Sequence, residues 1–263
     1  MYTLDDLREL MRCLRDPEHG CPWDLTQSYA TIAPHTLEEC FELVDAIESG
    51  DTQQMCQELG DVLFQVIFYS QLAEEAGDFL YADVVDGIVR KLLRRHPHVF
   101  PDGVLEKPGG DREVTEDEIK RRWEEIKSEE RAGNAQHSVL DDVPQALPSL
   151  SRAQKLQKRA ASVGFDWACS DGVLNKLDEE RVELAAAVAS GDRAHQAEEL
   201  GDVLFAAVNL ARHLEFDAET LLRAVNRKFE RRFRQMEKTA YESLSELSPA
   251  ALDALWEKAK QIR

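Results

Sequence analysis

One heptapeptide occurs twice in this chain. Glu58-Leu59-Gly60-Asp61-Val62-Leu63-Phe64 returns unchanged as Glu199-Leu200-Gly201-Asp202-Val203-Leu204-Phe205, 141 residues later. The same shift carries Glu38, Glu39 and Glu42 onto Glu179, Glu180 and Glu183, and Ser49-Gly50-Asp51 onto Ser190-Gly191-Asp192. Further along it drifts to 137 for Lys91 and Arg95 against Lys228 and Arg232, and to 133 for Trp123-Glu124 against Trp256-Glu257, as differing loop lengths would produce. A repeat of this length predicts two copies of one ordinary-sized domain. Their expected bounds are 1–130 and 145–263, joined by a linker over 131–144 that includes the small, polar stretch Arg131–His137.

Both copies read as helical. No proline falls between Pro34 and Pro97 or between Pro148 and Pro249, and apolar residues recur there at helical spacing, as in Val62, Leu63, Val66, Ile67 and Leu72. Strand-like alternation is scarce, so the fold class is all-α. Thr115 with Glu118 predicts a capping box ahead of Trp123, and Ser248-Pro249 an N-cap and first helical position ahead of Trp256.

Charge narrows the function classes. With 32 Lys and Arg against 51 Asp and Glu, the net charge is −19. Such a chain lacks the positive surface that displaces phosphate counterions or docks on anionic lipid, so neither nucleic acid nor membrane is an expected partner. A small anion remains open if metal cations intervene. The first six residues include Asp5 and Asp6 where a signal peptide would be basic and then apolar, and the five cysteines contain no CxxC pair. These features predict a cytoplasmic protein with reduced thiols used mostly in packing.

The turn at Gly191 organises the candidate chemistry. Glu183 and Glu199 lie eight residues to either side, and Glu180 and Asp202 eleven. On antiparallel helices of equal rise these acids become level in pairs, and the two on each arm share a face. The Gly50 turn sets Glu39, Glu42, Glu58 and Asp61 out in the same way. A single pair three apart is ordinarily a solvated face, and Glu39 would also serve as the capping partner of Thr36. Two equidistant pairs, occurring twice, favour convergence. Converging carboxylates repel and need protons, lysines or a divalent cation, and an all-oxygen set suits Mg²⁺ or Mn²⁺. Gly60 and Gly201, each inside a helix, would be explained by a close backbone approach or by a packing contact.

A basic run, Asn226-Arg227-Lys228-Phe229-Glu230-Arg231-Arg232, stands out in this acidic chain. Lys228 and Arg232 share a helix face and would suit the remaining charge of a polyphosphate, or would form a solvated face. Trp256 would be a core residue or a ligand platform, and the His96-Pro97-His98 pair a metal site or, more ordinarily, surface.

Glu-Glu-x-x-Glu, a sixteen-residue step, Glu-x-x-Asp, and Asn-x-Lys-Phe-x-x-Arg-Phe downstream resemble the MazG nucleoside triphosphate pyrophosphohydrolases, as does Cys21-Pro22-Trp23-Asp24. The resemblance spans nearly the whole chain. It implies an all-α fold whose units pair into helical bundles in a homodimer. It also implies Mg²⁺-dependent cleavage of nucleoside triphosphates to the monophosphate and pyrophosphate. It implies that Glu180, Glu183, Glu199 and Asp202 hold the metal and that Lys176, Asn226, Lys228, Arg232 and Trp256 meet the nucleotide. Metal ions neutralise phosphate and acidify water, and Glu179 or Glu180 would take the water's proton. The first copy has His35 in place of Lys176 and Val89 in place of Asn226. The second copy is therefore expected to be catalytic, the first accessory, with Glu39, Glu42, Glu58 and Asp61 as its counterpart metal set. The alternative is a nucleotide-sensing or protein-interaction module without turnover.

Overall fold

A computed structural model describes residues 1–106, 108–109, 114–133 and 138–261, with the side chains at 120, 124, 127–129 and 131–133 outside that description. It divides into two compact units, Met1–Glu129 and Glu130–Arg263. All regular structure among the described residues is helical.

Unit 1 holds α1 (Leu4–Leu14), α2 (Pro22–Leu25), α3 (Tyr29–Ser49), α4 (Thr52–Ala76) and α5 (Tyr81–Arg95), and α6 (Glu116–Gly133) runs to its boundary. Unit 2 holds α7 (Ser149–Ala161), α8 (Ser170–Ser190), α9 (Arg193–His213), α10 (Ala218–Thr239) and α11 (Pro249–Gln261). The repeat is thus a repeat of helices: α3–α4 corresponds to α8–α9, α5 to α10 and α6 to α11. Residues 131–133, expected in the linker, are the end of α6, and 134–137 lie outside the described residues.

The helix boundaries follow from local chemistry. Gly50 and Gly191 close α3 and α8 at φ 77° and 78°, a left-handed geometry that glycine adopts without steric cost. One residue later, Asp51 and Asp192 accept the first backbone N–H groups of α4 and α9. Each glycine-aspartate pair therefore reverses the chain and packs two long helices against each other. The expected caps are present: Thr115 and Glu118 bond reciprocally, and the Ser248 hydroxyl accepts from Ala251 N–H. Thr36 is not a cap. It lies inside α3, which starts at Tyr29 and passes through Pro34, and its hydroxyl meets Tyr69 Oη at 2.8 Å. The capping explanation for Glu39 therefore fails.

The cores of the two units differ. Unit 1 packs Met11, Ile32, Ile67, Phe68 and Leu72 into one cluster. Unit 2 has two smaller clusters, Val208, Ala211 and Ala218 beneath α7, and Met236, Leu255 and Ala259 between α10 and α11. All five cysteines are free thiols, but Cys13, Cys40, Cys56 and Cys169 are exposed rather than packed, because each falls off the buried stripe of its segment. Among the described residues no helix is long and apolar enough to cross a membrane.

Candidate metal and nucleotide site

Three carboxylates meet where α8 packs on α9. Glu180, Glu199 and Asp202 each bring an oxygen within 4.8 Å of the other two. Glu180 projects from the face of α8 turned to α9 and its side chain is only 8 % exposed. Glu183, three residues on, is turned about 60° away. It is exposed and outside the three-oxygen cluster. It is still close enough to feel it: desolvation, then the charges of Glu180, Glu199 and Glu179, raise its carboxyl above the usual range against the opposing pull of Lys176. Glu199 thus joins Glu180 and Asp202 in the cluster, while Glu183 acts on it from outside. Unit 1 repeats the arrangement with Glu39, Glu58 and Asp61, leaving Glu42 outside. Burial, then Asp61, Glu42, Glu58 and Glu38, raise the Glu39 carboxyl.

The donor set fits a hard divalent cation. Glu199 Oε1 lies 3.0 Å from His195 Nε2, while its Oε2 is buried with no partner. An unpaired buried carboxylate oxygen is costly unless a cation completes it. Lys176 Nζ supplies part of the compensation, at 2.8 Å from both Glu179 Oε1 and Glu180 Oε1, and those two bonds push its ammonium pKa up. In unit 1 His35 stands at this position and reaches only Glu38, at 3.7 Å, with Trp23 edge-on to its ring.

Asn226, Lys228, Arg232 and Trp256 form a separate group on α10 and α11. Asn226 and Lys228 are exposed. Arg232 lies over the Trp256 ring at 5.9 Å, and Trp256 packs on Phe229 and against the Met236 cluster. Among the described residues no hydrogen bond or ion pair joins this group to the carboxylates. His96 and His98 belong to no carboxylate or metal cluster there either. His96 sits against Trp123, whose indole N–H donates to Arg95 O.

A cavity of about 430 Å³ opens beside the cluster, bounded by α7, α8, α9 and the loop between α7 and α8. Lys176, Glu180 and Asp202 line one end, and Phe165, Trp167 and Phe205 contribute aromatic wall. Asp166 fastens the loop, accepting from Arg212 Nη2 at 2.5 Å and His213 Nε2 at 2.8 Å. Burial alone would raise the Asp166 carboxyl, but these two bonds outweigh it and hold it below the usual aspartate range. Gly172, in the first turn of α8, gives the Trp167 ring its place: a Cβ there would stand 2.5 Å from Trp167 Cδ1.

Unit 1 carries larger, buried side chains at two of the corresponding positions. Ala206 and Asn209 of α9 correspond to Gln65 and Phe68 of α4, which are 7 % and 1 % exposed. Sequence reasoning missed this difference and the residues behind it, Gln157, Asp166, Trp167, Asn209 and Arg212. The legible signal was the pair Asp166-Trp167, standing ahead of α8 as Trp23-Asp24 stands ahead of α3.

Gly60 and Gly201 are not explained within the chain. A Cβ at either would meet nothing within 4 Å, so both the close approach and the packing contact expected there are absent inside each unit.

A model of the MazG nucleotide pyrophosphohydrolase domain matches residues 27–100 and 170–236, one segment in each unit. The chain is 49 % identical to a nucleoside triphosphate pyrophosphohydrolase of Escherichia coli K12 over 265 aligned residues, covering 100 % of this chain and 98 % of that one. It is 41 % identical to a nucleoside triphosphate pyrophosphohydrolase/pyrophosphatase MazG of Thermotoga maritima, covering 97 % of this chain and 95 % of that one.

Proposed function

The chain belongs to the MazG nucleotide pyrophosphohydrolase family, and from that premise we propose a Mg²⁺-dependent enzyme that splits nucleoside triphosphates into monophosphate and pyrophosphate in its second unit. The observation that carries this reading is the union, in unit 2, of an acid cluster holding an unpartnered Glu199 oxygen with a ligand-sized cavity beside it. Glu180, Glu199 and Asp202 would hold Mg²⁺, or Mn²⁺ in its place, with Glu183 at the margin. The ion supplies neutralisation of phosphate charge and acidification of the attacking water.

The chain's own residues do the remainder. Of Glu179 and Glu180, Glu179 is the one assigned to take the proton of the water, a reading supported by its exposure outside the cluster and its pairing with Lys176 at 2.8 Å. Lys176 pairs with the acids and is within reach of phosphate oxygens entering between them. Lys228 and Arg232 carry the cationic surface suited to the pyrophosphate end, with Asn226 and Trp256 alongside.

Unit 1, residues 1–130, keeps the four acids but has His35 for Lys176, Val89 for Asn226 and the larger, buried Gln65 and Phe68 for Ala206 and Asn209, which supports an accessory role, with 145–263 as the catalytic domain. A homodimer is supported by large apolar side chains left exposed on α9 and α10, among them Leu200, Leu204, Phe229 and Phe233. Five free thiols suit a reducing cytoplasm.

The test is pyrophosphate release from the eight common ribo- and deoxyribonucleoside triphosphates, in Mg²⁺ and in EDTA. Metal-dependent pyrophosphate, with no orthophosphate, is the expected product. At fixed Mg²⁺, Glu199→Gln should lower kcat/KM by about a hundredfold or more and Glu183→Gln by about tenfold, as a ligand and its neighbour would. Binding without metal-dependent release would replace the enzyme by a nucleotide-sensing module.

A further inference from the structure

The cavity of unit 2 contains an unused hydrogen-bond donor. Asn209 is 4 % exposed and lines the cavity wall. Its Oδ1 accepts from Arg212 Nε at 2.8 Å, and Arg212 in turn is held by Asp166. A guanidinium has only donors, so this bond fixes the orientation of the amide. The amide Nδ2 has no partner among the described residues, and the side chain lines the cavity. Apolar groups make up most of the remaining wall, with Phe165, Trp167 and Phe205 offering flat faces.

Position along α9 gives the occupant. Asn209 lies seven residues, close to two full turns, beyond Asp202, so the two share a face about 10 Å apart along the axis. A molecule with phosphates at the acid cluster would place its base at this depth, among the aromatic faces. Resting on the triphosphate reading above, we propose that this cavity receives the nucleobase and that Asn209 reads it, donating an N–H to a ring nitrogen or carbonyl oxygen of the base. Asp166 and Arg212 act as positioning residues that keep the donor turned inward. Unit 1 differs here, with the buried Phe68 at the position of Asn209.

Two variants test it, with ATP, CTP, GTP and UTP as substrates and ribose 5-triphosphate, which has no base, as control. Asn209→Phe, importing the side chain of unit 1, should raise KM for all four nucleotides by about tenfold or more, with kcat changed much less. It should treat the base-free triphosphate as the wild type does. Asn209→Asp keeps the bond to Arg212 but turns an acceptor into the cavity, so it should reorder preference among the four bases. An unchanged KM in Asn209→Phe and an unchanged order in Asn209→Asp, with pyrophosphate still released, would overturn the base pocket alone. Equal losses on the base-free control would reduce Asn209 to a structural role and overturn it too. Absence of metal-dependent pyrophosphate from the wild type would instead defeat the triphosphate reading on which the pocket rests.

Discussion

Asp166 shows how much one carboxylate can govern. It receives donors from Arg212, from His213 and from the backbone N–H of Trp167, and so ties the loop ahead of α8 to the end of α9. Its carboxyl is depressed in the folded protein, so the stability it contributes is complete above the ordinary aspartate value near 3.9 and is lost as pH falls through the lower folded value. Asp166→Asn should therefore lower the stability of unit 2 at neutral pH by about 1–3 kcal/mol, because Arg212 is left largely buried without its counter-charge. Thermal melts across pH check this: the gap between variant and wild type should be wide at pH 7 and close in strong acid. A gap of constant size across that range would show that packing, not charge, sets the cost.

Among the elements, α8 has two demands on it. Its middle presents Glu180 to α9, and its first turn must leave room for Trp167. Gly172 meets the second demand at a helix position where alanine would otherwise be preferred by about 1 kcal/mol. Gly172→Ala would place a carbon 2.5 Å from an atom at the root of the indole, which has little freedom to move. Despite the better helix former, the variant should melt lower, by about 1–2 kcal/mol, and its KM for nucleoside triphosphates should rise as the Trp167 wall is displaced. A melting temperature at or above wild type would show that the ring is not held there. The contrast with Gly191 explains what sequence can reveal. A glycine between two runs of helical period announces a turn, and from it the antiparallel pair and its acids follow by arithmetic. Gly172 announces nothing, because its reason is a side chain packed from a loop. The same limit applies to Glu183: spacing placed it on the right arm, but only the packing of α8 on α9 decides which of two acids 60° apart faces inward.

For the whole molecule, the repeat made the helical class, the duplication and both acid sets legible, while the proposed division of labour draws on the packing of each unit as well. His35 against Lys176 and Val89 against Asn226 pointed to the second copy from the sequence. A further difference, the buried Gln65 and Phe68 against Ala206 and Asn209 on the wall of a cavity, needs the packing of each unit to be seen. Glu39→Gln with Glu58→Gln should consequently keep most pyrophosphate release, and Glu180→Gln with Glu199→Gln should lose it by at least about a hundredfold. Comparable losses from both pairs would mean that unit 1 also turns over substrate. The cavity of unit 2 has a bearing on protein lifetime as well, because an occupant adds RT ln(1 + [L]/Kd) to the stability of the unit that holds it. Proteases act on the opened chain, so saturating ATP should slow the cleavage of unit 2, which limited proteolysis with and without the nucleotide checks.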